Sequence, residues 1–190
     1  TATSTSYGLR MGYQPMLESY ISLSLSDTSV TMLPSIGGVT GGTATGTFSA
    51  TVITDNPGGY SLFMNASTSP ALKSGSYSFA DYAPAAAGTP DYSWLIVATA
   101  SEFGFTAEGT HIVQKFKDDG VNTCATSTND AADKCWYGFS TSAENTALSY
   151  SSNYPSGPQT TIRLQAQAGS SKMQEPGAYQ AVITTTALAN

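Results

Sequence analysis

The sequence offers few side chains whose type and spacing could carry out chemistry, and the single histidine is the first of them. His111 lies in a strand-like run between Thr110 and Ile112, and no G-x-S-x-G motif supplies an activated serine to partner it. We therefore predict a structural or surface role for His111 and no enzymatic activity. Scattered glutamates leave paired-carboxylate glycoside hydrolysis open as an enzymatic alternative: Glu18, Glu102, Glu108, Glu144 and Glu175.

The two cysteines frame a short polar segment. Cys124 and Cys135 are 11 positions apart, too far for a C-x-x-C redox or zinc half-site, and no second pair or nearby histidine supplies further ligands. We predict a disulfide that closes the loop, with two free buried thiols as the alternative. A disulfide implies an oxidising compartment.

Carboxylates gather on both sides of this cysteine pair. Asp118, Asp119, Asp130 and Asp133 offer the oxygen ligands that calcium prefers, but their spacing does not match an EF-hand loop. The sequence therefore predicts no cofactor, and calcium stays an alternative to a solvated acidic loop. The glycine-rich residues 37–42 lack the Lys-Ser/Thr of a phosphate-binding loop and are predicted to be a flexible connection.

Composition narrows the possible partners. Seven basic against 13 acidic residues give a net charge of −6, so no basic surface exists to attract nucleic acid. No apolar run is long enough to span a membrane. Charged residues make up only 11% of the chain, and hydroxyl and amide side chains replace them, as in extracellular proteins. The start Thr1-Ala2-Thr3-Ser4 suggests a mature N-terminus after signal-peptide removal, the alternative being an artificial chain start.

Alternating apolar and polar residues, punctuated by Gly, Pro, Asn and Asp, predict an all-β fold. The turn signal Asp-Asn-Pro-Gly-Gly at residues 55–59 predicts a hairpin between its two flanking strands. The apolar run at residues 94–98 predicts a strand buried on both faces, and residues 80–87 could hold a helical turn. The predicted strands are residues 20–25, 28–33, 47–54, 60–66, 94–98, 111–116, 135–140, 161–168 and 179–188.

The N-terminal segment differs from the rest of the chain. Tyr7, Leu9, Met11 and Tyr13 share one parity, which gives a strand with one apolar face and no obvious partner. We therefore predict that residues 1–18 form an extended arm and a candidate donor strand. The remaining residues, 19–190, are predicted to form a single antiparallel, Greek-key-like β-sandwich.

Two segments resemble the WxL-like domains of bacterial cell-surface proteins. Residues 47–67 are similar to their first W-x-L region, with Tyr60-Ser61-Leu62 in the Trp-x-Leu position, and residues 175–190 are similar to their closing strand. Tyr60 replaces the first Trp, and threonines at 184–186 occupy the region of the second. The resemblance implies a β-sandwich and an extracellular setting, as in secreted surface or filament proteins of small-genome epibiont bacteria.

Two functions are compatible with these features. The first is a structural subunit of an extracellular filament or fimbria, whose arm adds as a strand to another copy of the chain. The second is a monomeric adhesion module that binds a glycan or wall polymer through Tyr92, Trp94, Trp136 and Tyr137, although core packing is the alternative for both tryptophans. The arm favours the first, because a head-to-tail polymer needs such a strand.

Overall fold

The computed structural model describes residues 20–142, 146–150, 157 and 159–190, so the predicted arm lies outside the described residues. The described chain is all-β, as the sequence predicts, apart from a 3-10 helix at Gln114–Phe116. Its strands are β1 (Ile21–Leu25), β2 (Gly42–Thr54), β3 (Tyr60–Ala66), β4 (Lys73–Ser74), β5 (Tyr77–Ser78), β6 (Ala80–Asp81), β7 (Ser101–Glu108), β8 (Tyr137–Gly138), β9 (Thr146–Tyr150), β10 (Gln159–Ala168) and β11 (Ile183–Ala189).

The strands form two main sheets. The first has the order β1-β2-β10-β7-β6, with β8 also paired to β7, and the second has the order β11-β3-β9. All pairs are antiparallel except β6 with β7. Strands β4 and β5 form a separate two-stranded ribbon. Among the described residues, no helix is long and apolar enough to cross a bilayer.

Alternate side chains of both sheets meet in one buried apolar cluster. The inward faces predicted for β2, β3 and β10 are confirmed, and each large side chain buried there contributes about 1.5 to 3 kcal/mol. A single core between two sheets is the arrangement of a β-sandwich. The central members of the cluster are Phe48, Ala50, Val52, Tyr60, Leu62, Met64, Phe103, Phe105, Ile162, Leu164 and Ala166.

The predicted hairpin between residues 47–54 and residues 60–66 is wrong. Both edges of β2 are occupied, by β1 and β10, and β3 pairs with β11 and β9 in the other sheet. The turn at residues 55–59 therefore carries the chain from one sheet to the other. Asn56 stabilises this connection between the sheets, because its side-chain amide donates to the carbonyl oxygens of Gly59 and Asn190.

Three other strand predictions fail. Residues 94–98 are not a buried strand, since Leu95 and Val97 are 80% and 68% exposed. Residues 111–116 hold the 3-10 helix, and residues 28–33 form no strand beyond a single bridge at Leu33. Residues 80–87 hold β6 and irregular chain, with no helical turn.

The structure also corrects some strand boundaries and adds five strands that were not predicted, which are β4, β5, β6, β7 and β9. Strand β7 was not predicted, although Phe103, Phe105 and Ala107 alternate inward along it. The strand predicted at residues 135–140 is reduced to β8, and the one at residues 179–188 begins only at Ile183. The glycine-rich residues 37–42 lead directly into β2.

The disulfide prediction agrees with the geometry. The sulfur atoms of Cys124 and Cys135 lie 2.07 Å apart, and neither cysteine is free. Both side chains are buried and belong to the apolar core. The bond therefore ties the loop that precedes β8 to the body of the domain.

Removing this cross-link is expected to destabilise the domain. For a loop of this length, replacing Cys124 and Cys135 together by alanine should lower the free energy of unfolding by about 3 kcal/mol in the chain-entropy model. Urea denaturation of the variant and of reduced wild type measures the loss. A thiol assay on denatured, unreduced protein is the control, and two titratable thiols would contradict the bond.

Candidate functional site

His111 lies in the core and not at a reactive surface. Its side chain is buried, and its Nδ1 lies 3.0 Å from the hydroxyl oxygen of Tyr60, which is also buried. Burial lowers the pKa of His111 and favours the neutral ring, in which Nδ1 can accept the hydroxyl proton of Tyr60. The contact joins β3 to the segment after β7, which is a structural role.

Two of the candidate calcium ligands close their own loop. The carboxylate of Asp118 is fully buried and accepts hydrogen bonds from the backbone N–H groups of Gly120 and Ala131 at 2.6 and 2.8 Å. Asp119 accepts three backbone N–H groups, from residues 121–123, and these bonds lower its pKa to about 2. Both carboxylates thus stabilise the turns of their own loop by accepting backbone hydrogen bonds.

The other two candidate ligands have separate partners. Asp130 accepts the N–H of Gly109 at 2.7 Å, and burial raises its pKa. Asp133 lies 3.4 Å from Nε of Arg163, which also contacts Glu108 at 2.6 Å. In the part of the chain that the structure describes, no group of three or more His, Cys, Asp or Glu side chains is placed to hold a metal ion. Calcium therefore gains no support from the geometry.

The candidate binding aromatics pack largely against the protein itself. Trp136 is buried, and Trp94 stacks on Tyr82 with ring centroids 4.3 Å apart while its Nε1 donates to Gln167. The two tryptophan rings meet edge to face at 5.2 Å. The remaining two candidate aromatics lie under lysine ammonium groups: Tyr137 under Lys115 and Tyr92 under Lys134. Trp136 therefore follows the core-packing alternative, whereas Trp94 is half-buried and packs on Tyr82 and Trp136 outside the core cluster.

A groove of about 730 Å³ lies between the two sheets beside β11. One wall is the segment that follows β1, residues 25–32, and the other is residues 178–185. Val30 and Met32 lie over the inner face of Gly46 in β2, where a side chain would collide with Val30. The lack of a side chain at Gly46 thus leaves room for residues 28–32 to lie over β2 and form this wall. The floor is formed by core side chains: Phe48, Leu72, Phe103 and Leu164.

A second depression of about 380 Å³ continues the first, because Met32, Leu72 and Tyr179 line both. It ends between residues 34–38 and residues 174–177. We refer to the two together as the groove. Gln174 lines its far part and is only 9% exposed.

Gln174 leaves an unsatisfied acceptor in this groove. Its Nε2 donates to the hydroxyl of Tyr179 at 2.6 Å, but its Oε1 is buried without a hydrogen-bond partner among the described residues. A buried acceptor without a donor costs about 1 to 3 kcal/mol.

The apolar side chains of both walls are only partly covered. They pack against the core, yet they remain partly exposed, whereas Tyr60, Leu62, Met64 and Ala66 of β3 are almost completely buried. A row of half-covered inward side chains marks the place where a sheet lacks a neighbour. The wall residues concerned are Leu25, Val30, Met32 and Ile36 on one side and Tyr179, Ala181 and Ile183 on the other.

The backbone next to the groove is also unpaired within the described chain. Strand β11 pairs only with β3. Just before it, the backbone groups of Gln180 bond to Lys73 and the carbonyl of Val182 bonds to Ser67, on the side away from the groove. Because backbone groups alternate in direction along an extended chain, those of Tyr179 and Ala181 point towards the groove. The edge is therefore open to another strand along residues 178–185, where the groove lies, while strand β1 also approaches β11 closely.

Comparison of the chain with family models, curated proteins and solved structures gave no match. The resemblance to WxL-like domains thus rests on residues 47–67 and 175–190 alone and stays a prediction. The predicted assembly residues, Tyr7, Leu9, Met11 and Tyr13, lie outside the described residues. Sequence reasoning missed the groove, although the inward parity of residues 179–187 signalled one of its walls.

The buried His111 predicts a specific pH dependence of stability. An unfolded histidine titrates near pH 6.5, and burial lowers the pKa in the folded state, so the full contribution is present above about pH 6.5. It is lost as the pH falls towards the folded pKa, by at most about 1.4 kcal/mol per pH unit. Urea midpoints of wild type and His111→Gln between pH 7.5 and 5 measure this.

The two proteins share all carboxylates, so the difference between their pH profiles isolates the histidine. Parallel profiles would show that His111 does not titrate differently in the folded state. Hydrolase screening of the same pair tests the predicted lack of activity, and a turnover abolished in His111→Gln would contradict it.

Proposed function

We propose that this chain is a structural subunit of an extracellular bacterial filament or fimbria. Subunits assemble by strand addition, in which residues 1–18 of one copy pair with the sheet of another copy. The observation that carries the proposal is the groove, with its half-buried apolar walls beside the unpaired edge of β11. Extended peptides bind to such edges through backbone hydrogen bonds and side-chain pockets.

The arm matches what this groove lacks. The groove needs an extended segment with apolar residues on one face, and Tyr7, Leu9, Met11 and Tyr13 form such a face. Each of these side chains contributes roughly 1.5 to 3 kcal/mol on burial, before the cost of ordering the arm. Four of them together are sufficient to hold a polymer contact.

The rest of the domain supports a non-catalytic, exported protein. His111 is used in core packing, and the acidic side chains near the disulfide bind backbone N–H groups and Arg163. The disulfide between Cys124 and Cys135 fits an oxidising compartment outside the cytoplasm. These features stabilise the fold, and none of them belongs to the groove that we propose for assembly.

An adhesion module is the second candidate, and a separate surface favours it. The loops before β7 and after β10 are joined by the hydrogen bond from the Ser171 N–H to the Ala98 carbonyl. They expose Leu95, Val97 and Met173, which are 80%, 68% and 79% accessible. Exposed apolar patches of this kind often mark binding sites. A glycan or cell-surface partner would bind here and not at the packed tryptophans.

Changing the arm is expected to abolish assembly without unfolding the domain. Deletion of residues 1–13 removes the donor face, and Leu9→Asp places a carboxylate in an apolar groove, which should weaken association at least about tenfold. Electron microscopy and light scattering measure filaments and mass, and circular dichroism verifies the β-fold.

Gln14→Asp is the matched control, because it introduces the same charge at a position of opposite parity. It should assemble like wild type. Filaments of unchanged morphology from the truncated chain, or an intact chain that stays monomeric at every concentration, would refute strand addition by the arm.

A further inference from the structure

We propose that the arm of one copy enters the groove of the next copy from the end at which β2 begins and runs antiparallel to β11, which joins the copies head to tail. This inference rests on the proposed function and specifies the acceptor site, the direction and the register of the contact. The following observations carry it.

The root of the arm and the far end of the groove lie at opposite ends of β2. Tyr20 is tied to the last residues of β2, because its N–H donates to Asp55 at 2.6 Å and its carbonyl accepts the hydroxyl of Thr54 at 2.8 Å. The far end of the groove lies beside Gly38 and Ala44, where β2 starts. A strand of 13 residues is roughly 40 Å long. Tyr20, which follows the arm in sequence, thus lies at one pole of the domain, and the groove opens at the other.

Tyr20 is held at the end of β1 that is distant from the groove. Its bonds to Thr54 and Asp55 extend the ladder between β1 and β2 by one residue beyond Ile21. Leu25, at the other end of β1, lines the groove. A second copy, placed with its groove end against this pole, receives the arm without a reversal of the chain.

The direction of the inserted strand follows from the direction of β11. This strand runs from Ile183, opposite Ala66, to Ala189, opposite Tyr60, and Asn190 bonds to Gly59 beside the root of the arm. It therefore runs from the groove end towards the arm end of its own domain. An arm that enters at the groove end points its N-terminus the same way, so its chain direction is antiparallel to β11.

The register is limited by the alternation of side chains. Residues directly opposite each other in an antiparallel pair point to the same face, and a slip of one residue would turn the apolar face of the arm to solvent. The apolar positions of the arm are odd, and so are the inward positions of the wall. Matching the two rows end to end places Tyr7 opposite Thr185, Leu9 opposite Ile183, Met11 opposite Ala181 and Tyr13 opposite Tyr179.

Tyr179 marks the part of the groove through which the arm would enter. Its ring packs edge to face on Phe79 with ring centroids 5.1 Å apart, and its hydroxyl accepts the side-chain amide of Gln174 at 2.6 Å. In the proposed register Tyr13 covers this ring.

Cysteine cross-linking tests the inference on the full chain. One protein carries Tyr7→Cys in the arm, and two others carry Thr185→Cys or Tyr179→Cys in the wall. The arm protein is mixed with each wall protein, assembled, oxidised with glutathione disulfide and analysed on non-reducing gels. A covalent dimer is expected with Thr185→Cys, about tenfold more abundant than with Tyr179→Cys, which would lie about 20 Å from residue 7.

Each alternative outcome has its own signature. Preferential linkage to Tyr179→Cys overturns the antiparallel direction. A chain carrying both Tyr7→Cys and Thr185→Cys that closes on itself as a fast-migrating monomer shows that the arm occupies its own groove and overturns the head-to-tail contact. Filaments that need the arm but never link to either wall position overturn the groove as acceptor and leave the proposed function intact. If the chain forms no filaments, the proposed function itself fails.

Discussion

The ladder between β2 and β10 is the interaction on which the rest of the structure depends. It pairs residues 42–51 with residues 159–168 without interruption and brings Phe48, Ile162 and Leu164 into the core. Because β1 occupies the other edge of β2, the next strand in sequence cannot pair with β2 as a hairpin. Strand β3 lies instead in the second sheet, and the turn at residues 55–59 connects the two sheets.

The unequal size of the two sheets then determines where the domain stays open. The first sheet has six strands and the second has three, so the second covers only part of the inner face of the first. The uncovered strip lies beside β11, where residues 25–32 and 178–185 form walls over Phe48 and Leu164. An unpaired edge above an apolar floor is normally protected against association. Here neither a charge nor a proline blocks the edge along residues 179–187.

The sequence predicts which face of a strand is buried better than it predicts which strands pair with each other. Alternation correctly identified the inward residues of β2, β3 and β10, because a side chain's face depends only on its own parity. Alternation did not predict which strands pair. The segment Asp-Asn-Pro-Gly-Gly forms a turn both in a hairpin and in a connection between two sheets, and the hairpin is excluded only because β1 and β10 occupy both edges of β2. The apolar run at residues 94–98 was wrongly predicted to be a buried strand. The position of Trp94 depends on its contacts with Tyr82 and Gln167, which are distant in sequence and cannot be read from the local composition. The groove depends on sheet order and was not predictable in the same way.

Several contacts that stabilise the fold lie away from the groove, so the domain does not depend on a segment in the groove to fold. The disulfide, the buried Asp118 and the ion pair of Arg163 with Glu108 surround β7, on the far side of the first sheet from β1. The interior beneath β3 is closed without any additional strand, since its inward side chains are almost inaccessible. Only the wall residues of the groove gain burial from an added segment. In the proposed assembly such a domain folds first and associates afterwards, because the residues of the groove contribute little to the buried core.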